Sequence, residues 1–255
     1  MSKLMDNLLY VDSHDSIKRV LQAWRLWVVG ALVGALIATG VYYIVPPLYR
    51  AKAVVVVDHN IEDAYDIPAS RQFYFMGRET RKLQELAWSD ETMQILSEKV
   101  GGISVQELRD EILSLSQPED GGWFFYADYK DAAMAEEIAG AWAETFYQQV
   151  LDGIEVSEYL VTIRAEIEKL YAEDKEYSGG EARYLAEQLH PGLEESKGIS
   201  PYVEVTLSQS QNLSVQRVVP LSIYILAGSF IGALGLALGT IFMLRSEESD
   251  VFLAE

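Results

Sequence analysis

Two apolar runs decide the architecture of this 255-residue chain: LWVVGALVGALIATGVYYIV at 26–45 and PLSIYILAGSFIGALGLALGTIFML at 220–244. Neither run contains a charged residue, and each is as long as the ~20 residues that a helix needs to cross the ~30 Å hydrocarbon core of a membrane. The runs therefore predict two transmembrane helices. Two spans place residues 1–25 and the tail 245–255 on one side of the membrane, and residues 46–219 on the other side.

The first run is predicted to be a retained anchor and not a cleavable signal peptide. The segment before it is long and contains Asp6, Asp12 and Asp15, whereas the start of a signal peptide is short and basic. The run is also longer than a signal-peptide core, and no small-residue cleavage site follows Tyr42.

Lysine and arginine residues near the spans indicate the orientation, because cytoplasmic flanks carry an excess of them. The flanks on the side of the termini carry four basic residues, and the flanks of segment 46–219 carry three. The four are Lys18, Arg19, Arg25 and Arg245, and the three are Arg50, Lys52 and Arg217. This majority predicts that both termini are cytoplasmic and that 46–219 is extracytoplasmic.

The charge and the motif content narrow the function. Residues 46–219 contain 15 Lys+Arg and 32 Asp+Glu, a net charge of −17 within the −19 of the chain. Such a surface repels nucleic acid, so nucleic-acid binding is excluded. The chain has no cysteine and no GxxxxGK[ST], HExxH or CxxC motif. His14, His59 and His190 lie in separate predicted elements, so we predict no catalytic residue, no cofactor and no metal site.

The segment 46–219 alternates strand and helix patterns in the order βαββαβ. Strands are predicted at the β-branched run 54–57, which is expected to be buried, and at 111–117, 123–129 and 202–207. Helices are predicted at 78–99 with a break at Ser89 and an end at Gly101-Gly102, in a short segment capped by Ser104, from Asp131 through a very long run, and at 181–190. Loops or turns are predicted at 63–70, 118–122 and 178–180, and Pro191-Gly192 is predicted to end the returning helix. The order predicts an α+β, ferredoxin-like domain with a long helical hairpin.

Glycines in the two spans predict close helix packing. Small residues let helix backbones approach each other, and this approach drives association in lipid. The second span has four such residues, spaced 4, 3 and 4, and the first has two; they are Gly228, Gly232, Gly235, Gly239, Gly30 and Gly34. Two partners stay open at this point, the other span of the same chain or another copy. The alternative is that glycine is simply common in membrane helices.

The long helix carries one apolar seam of the coiled-coil type. Its members are spaced 4, 3, 4 and 3 and are Val156, Leu160, Ile163, Ile167 and Leu170. The seam can pack within the domain or form an oligomer contact. Because the returning helix is predicted to be short, we expect the upper part of the seam to contact another chain.

Several motifs between and around the spans resemble those of a known family. They are an amphipathic segment at Ser16–Val20, a Pro47-x-Tyr49-x-Ala51 strand start, a helix from Ser89 to Leu96, the segment Asp131, Ala135, Ile138, Ala139, and Pro220 at the second span. In this order they resemble the polysaccharide co-polymerases, the chain-length determinant (Wzz-type) proteins of bacterial envelopes. The short hairpin resembles the compact members of that family.

The resemblance implies a non-enzymatic homo-oligomer in the bacterial cytoplasmic (inner) membrane that regulates the chain length or the export of a cell-surface polysaccharide. It implies membrane lipid, a polysaccharide polymerase or lipid-linked glycan, and a separate cytoplasmic tyrosine kinase as partners. The alternative is an extracytoplasmic sensor or adaptor module that signals through a separate cytoplasmic partner. We expect no output or kinase domain within residues 1–25 or 245–255.

Overall fold

The computed structural model describes residues 24–60, 68–116, 122–173 and 179–251, and the chain divides into two compact units. One unit combines residues 1–47 with 217–255, and the other comprises residues 48–216. The predictions for the segment before Trp24, for most of the loop 63–70, for the turn 118–122 except Gly122, for Ser178 and for the end of the tail after Val251 lie outside the described residues.

Seven helices and five strands occur in the described ranges. The helices are α1 (Trp24–Ile44), α2 (Ala69–Ala87), α3 (Asp90–Val100), α4 (Val105–Glu107, continued as a π-helical turn at Leu108–Ile112), α5 (Ala132–Glu173), α6 (Gly179–Glu195) and α7 (Leu221–Val251). The strands are β1 (Tyr49–Asp58), β2 (Leu113–Ser116), β3 (Gly122–Tyr129), β4 (Glu204–Gln209) and β5 (Val215–Arg217).

The first unit contains the two predicted apolar helices. Helix α1 and the segment Leu221–Thr240 of α7 are each long and apolar enough to cross a membrane. Most of their side chains are exposed within the single chain, as expected of helices that lipid surrounds. Helix α7 continues beyond Leu244, the predicted end of the second span, through the acidic residues that follow, and ends at Val251.

The second unit is an α+β domain built on an antiparallel sheet. The strands lie in the order β2-β3-β1-β4, and β5 pairs with β1 outside this path. Strand β3 lies between β1 and β2 and is antiparallel to both, so the predicted hairpin of β2 and β3 is confirmed. The first strand, predicted to be buried, is buried on one face alone, because alternate residues of β1 point away from the core and Val56 is 39% exposed.

Helix α5 covers the buried face of this sheet. Trp142 lies at the centre, with its ring edge-on to Phe125 of β3 and its indole N–H donating to the Ala87 carbonyl at 3.0 Å. Gly140 brings the helix against the backbone after β4, since a Cβ there would overlap the Ser210 carbonyl oxygen. The centre of the core is therefore an aromatic layer between the sheet and α5, and aliphatic side chains of α2 and α3 extend this core.

Local capping residues place most helix ends where the sequence predicts them. The Ser89 hydroxyl accepts a hydrogen bond from Thr92 N and begins α3, and Gly101 ends that helix with a φ of 64°. Ser104 caps α4 by accepting from Glu107 N, and the Asp131 carboxylate accepts from the first free N–H groups of α5. These hydroxyl and carboxylate oxygens satisfy donors that lack a partner within the helix.

The returning helix is longer than predicted at both ends. Gly179 and Gly180 lie inside α6 and not in a turn, and Pro191 lies inside its last turns instead of ending it. Gly192 explains the continuation, because a Cβ there would lie only 2.6 Å from a methyl group of Leu160 on α5. The tight contact between the two helices holds the backbone helical where local preference alone would break it.

Candidate helix interfaces

Four of the predicted glycines form the contact between α1 and α7. A Cβ at Gly30 would lie 2.6 Å from the Gly232 carbonyl oxygen, and a Cβ at Gly34 would overlap the Gly228 carbonyl oxygen. Ala38 contacts Gly228 in the same way. Because positions that ascend along α1 contact positions that descend along α7, the helices are antiparallel. The partner of these glycines is therefore the other helix of the same chain.

The other two glycines of α7 do not take part in this contact. No described residue lies within 4 Å of a Cβ placed at Gly235 or at Gly239. The four glycines of α7 share one helix face by spacing, yet only the pair nearer its beginning touches α1. The contact within the chain thus uses about half of the predicted glycine face.

An aromatic cluster with one cation lies at one end of this helix pair. Tyr42 is buried, its ring meets that of Tyr224 edge-on with centroids 5.2 Å apart, and the Arg217 guanidinium lies 4.6 Å from the centre of the Tyr42 ring. Tyrosine and arginine are typical of the boundary between hydrocarbon and water. Beside the cluster runs an apolar groove of about 710 Å³ that the small residues of both helices line.

The apolar seam of α5 packs against α6 in the same chain. Leu160 and Ile163 are 7% and 3% exposed, while Val156, Ile167 and Leu170 are half-buried. The hairpin therefore covers the middle of the seam. A contact of its upper part with another chain stays a prediction.

The residues of the family motif have structural positions at the ends of elements. Ala51 is fully buried under α5, and Tyr49 packs at the edge of the same core. Pro47 precedes β1, and the Pro220 carbonyl accepts a hydrogen bond from Ile223 N at the start of α7. Each of these residues thus marks the passage between a helix of the pair and the domain.

A polar cluster that the sequence did not predict surrounds His59. Its Nε2 lies 3.3 Å from the Thr80 hydroxyl, and its buried Nδ1 has no hydrogen-bond partner among the described residues. Glu79 beside it is 2% exposed and pairs with Lys82 Nζ at 2.9 Å. Burial lowers the pKa of His59, although the charge of Glu79 opposes this shift. Only the Glu79–Lys82 spacing could have indicated the cluster.

The second face of the sheet carries charged and aromatic pairs in place of a helix. Arg50 donates to the Asp128 carboxylate at 2.7 and 2.5 Å, and this hydrogen bond raises the pKa of Arg50. The Lys52 ammonium lies 4.6 Å from the centre of the Phe124 ring. These cross-strand pairs cover a half-buried surface with long side chains and stabilise it modestly.

The first half of α2 exposes large aromatic side chains. Phe73 is 89% exposed and Tyr74 is 76% exposed, and a Cβ placed at Gly77, one turn further along the helix, would have no described neighbour within 4 Å. Arg81 continues the same exposed face one turn further on. Sequence reasoning missed this face because the predicted helix began only at Arg78. The signal available was the run Phe73-Tyr74-Phe75-Met76, which is apolar but lacks the spacing of a single buried face.

The described residues offer little for catalysis. No group of three or more His, Asp or Glu side chains among them could hold a metal ion. A cavity of about 330 Å³ in the α+β domain is lined partly by Asn60, Glu158 and Tyr202, which do not form a nucleophile–base pair in that part of the chain. His190 is exposed on α6, away from the cluster around His59, and His14 lies outside the described residues.

Comparison with known proteins gives similarities at the level of structure alone. No protein-family model matches the chain, and no curated protein matches its sequence. Among solved structures, the chain is similar to one described as a full-length bacterial polysaccharide co-polymerase. The match covers 88% of this chain and 97% of the other, with 12% sequence identity and a TM-score of 0.32.

Proposed function

We propose that this protein is a non-enzymatic, oligomeric scaffold of the bacterial inner membrane that regulates the length or the export of a cell-surface polysaccharide. The observation that carries the proposal is the antiparallel contact of α1 and α7, in which Gly30 and Gly34 meet Gly228 and Gly232. Two membrane-length helices in contact present the domain between them as a single unit on one side of a membrane.

The organisation of the domain supports this proposal. The strand order β2-β3-β1-β4 is that of a split βαβ arrangement, and we infer a ferredoxin-like fold with β5 as an addition. Helices α5 and α6 form a hairpin that extends this domain. Such a hairpin gives a subunit long lateral surfaces for neighbouring copies. The motif residues Pro47, Tyr49, Ala51 and Pro220 lie at the passages between helix pair and domain, as the family resemblance implies.

A scaffold of this kind needs no bond-making residue. The apolar groove along the helix pair and the aromatic cluster at its end are suited to lipid contact. A membrane polymerase or a lipid-linked glycan would be the partner within the membrane, and a cytoplasmic tyrosine kinase would be the partner at the termini. The acidic domain keeps nucleic acid away.

The test is the length distribution of the surface polysaccharide in the source bacterium with and without this protein. We expect loss of the protein to change the modal glycan length or its surface amount while the repeat unit keeps its composition. Complementation with the intact chain should restore both, and a Gly34→Leu chain, whose new side chain overlaps the Gly228 carbonyl, should not. An unchanged length and amount after deletion would refute the proposed function.

A further inference from the structure

The aromatic face of α2 consists of Phe73, Tyr74, Gly77 and Arg81. These residues recur at three- and four-residue spacings, so they lie on one side of the helix. The opposite side carries the residues that pack on the domain, among them Leu83, which is 1% exposed. A helix that buries one side normally exposes polar residues on the other. Two large aromatic rings in water are therefore unusual here.

Gly77 adds an independent indication that this face is covered by another helix. Glycine within an exposed helix costs about 1 kcal/mol relative to alanine. A Cβ placed at Gly77 would meet no described residue within 4 Å, so no close packing inside that part of the chain accounts for this cost. A glycine one turn after two aromatic side chains leaves a notch in which the backbone of a second helix can approach closely.

Helix α5 carries an acidic face, whose charge is opposite to that of the arginine residues of α2. This face consists of Asp152, Glu155, Tyr159 and Glu166, spaced 3, 4 and 7 residues apart along one flank of the helix. All four side chains are exposed, and Tyr159 is 59% exposed. The apolar seam of α5 faces α6, and this flank lies beside it. The acidic face thus surrounds one exposed aromatic ring with carboxylates.

We propose that the aromatic face of α2 in one subunit packs on the acidic face of α5 in a second copy of this chain. This inference rests on the proposed oligomeric scaffold and names the surfaces that join its subunits. Phe73 and Tyr74 would supply the buried aromatic area, since such rings dominate the energy of interfaces. Arg81 would face the carboxylates of Glu155 and Glu166.

Charge complementarity favours a second copy over other occupants. Helix α2 carries four basic and two acidic residues in a chain of net charge −19, so its basic surface suits an acidic partner. The chain itself provides one on α5. A contact between two different faces is heterologous, and its repetition gives a ring where the rotation between neighbouring subunits closes on itself. The same contact can therefore join every subunit to the next.

The first experiment compares the full-length protein with a Phe73→Ala/Tyr74→Ala double variant by mass photometry in lipid nanodiscs or detergent over a range of concentrations. Both side chains are exposed, so the subunit should stay folded. We expect the concentration at which half of the subunits are assembled to rise roughly tenfold or more. Tyr184→Ala on α6, which removes a tyrosine that is 61% exposed but lies outside both faces, should leave it unchanged.

A charge exchange then tests the pairing of the two faces. Arg81→Glu places a carboxylate against carboxylates and should weaken assembly roughly tenfold. Combining it with Glu155→Arg and Glu166→Arg should recover most of that loss. The matched control is Arg183→Glu, which makes the same change in charge at a side chain that is 81% exposed on α6 and whose ion pair with Glu187 is exposed. We expect this control to assemble like the unmodified chain.

The outcomes separate this inference from the proposed function. An oligomeric wild type whose assembly resists the double alanine variant would overturn the contact and leave the scaffold proposal standing. Unchanged assembly with altered polysaccharide length would also overturn it, because the aromatic face would then bind a different partner such as the glycan. Weakening by Arg81→Glu without recovery in the exchanged chain would refute the acidic face of α5 as the partner. A monomeric wild type would refute both proposals.

Discussion

Replacement of Gly30 by alanine tests the contact of the helix pair with a single methyl group. The new Cβ would lie 2.6 Å from the Gly232 carbonyl oxygen, whereas ordinary van der Waals contact begins at 3.4 Å. The helices must therefore separate by about 0.8 Å. A gap of that size removes a quarter to a half of the van der Waals attraction of each contact between α1 and α7. The nearest atom belongs to the backbone, so movement of the Leu236 side chain, whose methyl group lies 2.8 Å from the new Cβ, cannot relieve the overlap.

Gly40→Ala is the matched control because Gly40 lies in the same helix and no described residue lies within 4 Å of the added Cβ. Both substitutions gain the higher helix propensity of alanine, about 1 kcal/mol, and this gain cancels in the comparison. Overpacking costs about 1–3 kcal/mol and falls on Gly30→Ala alone. The packed state should therefore be about 5- to 150-fold less favoured in Gly30→Ala than in Gly40→Ala.

Pulsed electron paramagnetic resonance measures the distance between two spin labels and so reports this difference in helix packing. The chain has no cysteine, so Leu36→Cys and Leu226→Cys provide two unique labelling sites, both 73% exposed on the helix pair. We expect the label distance to lengthen and its distribution to broaden in the Gly30→Ala background and to stay narrow in the Gly40→Ala background. Identical distributions in the two backgrounds would refute the glycine contact as the feature that holds the helices together.

Four further predictions address the α+β domain and its orientation. Ile163→Asp should destabilise the hairpin of α5 and α6 by about 3 kcal/mol or more and accelerate hydrogen exchange in α6, because the side chain is 3% exposed, while Ala165→Asp on the exposed side should not. Trp142→Phe should cost about 1–3 kcal/mol in urea unfolding, since it leaves the buried Ala87 carbonyl without its donor. Folding lowers the pKa of His59 from its ordinary 6.5. The contribution of His59 to the stability of the domain should therefore be fully present above pH 6.5 and decrease as the pH falls below it, and His59→Gln should remove this dependence. A reporter inserted between α5 and α6 should be active only outside the cytoplasm and one fused to the C-terminus only inside it; the reverse pattern would overturn the predicted orientation.

Local sequence signals were sufficient for most elements of this fold. The uncharged runs predicted both membrane-length helices, and Ser89, Gly101 and Asp131 predicted helix ends because their side chains or backbone angles act within a few residues. The alternation and turn chemistry around β2 and β3 predicted the hairpin in the same way.

The features that sequence did not predict depend on contacts between distant segments. Pro191 and Gly192 are local helix breakers, yet α6 continues through them because Leu160 lies against Gly192 from the facing helix. The contacts of the glycines could not be predicted for the same reason, since their spacing did not distinguish the glycines that touch the other helix from those that do not. Only the position of α1 along α7 separates Gly232, which is in contact, from Gly235, which is not.

The candidate interfaces show a similar division. The seam of α5 was predicted residue by residue, but its partner depended on the length of α6, which proved greater than expected. The aromatic face of α2 was missed because an exposed hydrophobic run looks the same as a buried one in a sequence. Exposure is a property of the folded domain. Phe73 and Tyr74 indicate an interaction surface because no other described part of the domain covers them.

The mass of the intact protein in lipid nanodiscs tests the proposed oligomeric scaffold. Heterologous contacts that close on themselves produce an assembly with a fixed number of subunits. We expect a single dominant species whose protein mass is an integral multiple, greater than two, of the subunit mass. A protein that remains monomeric would contradict the proposed scaffold.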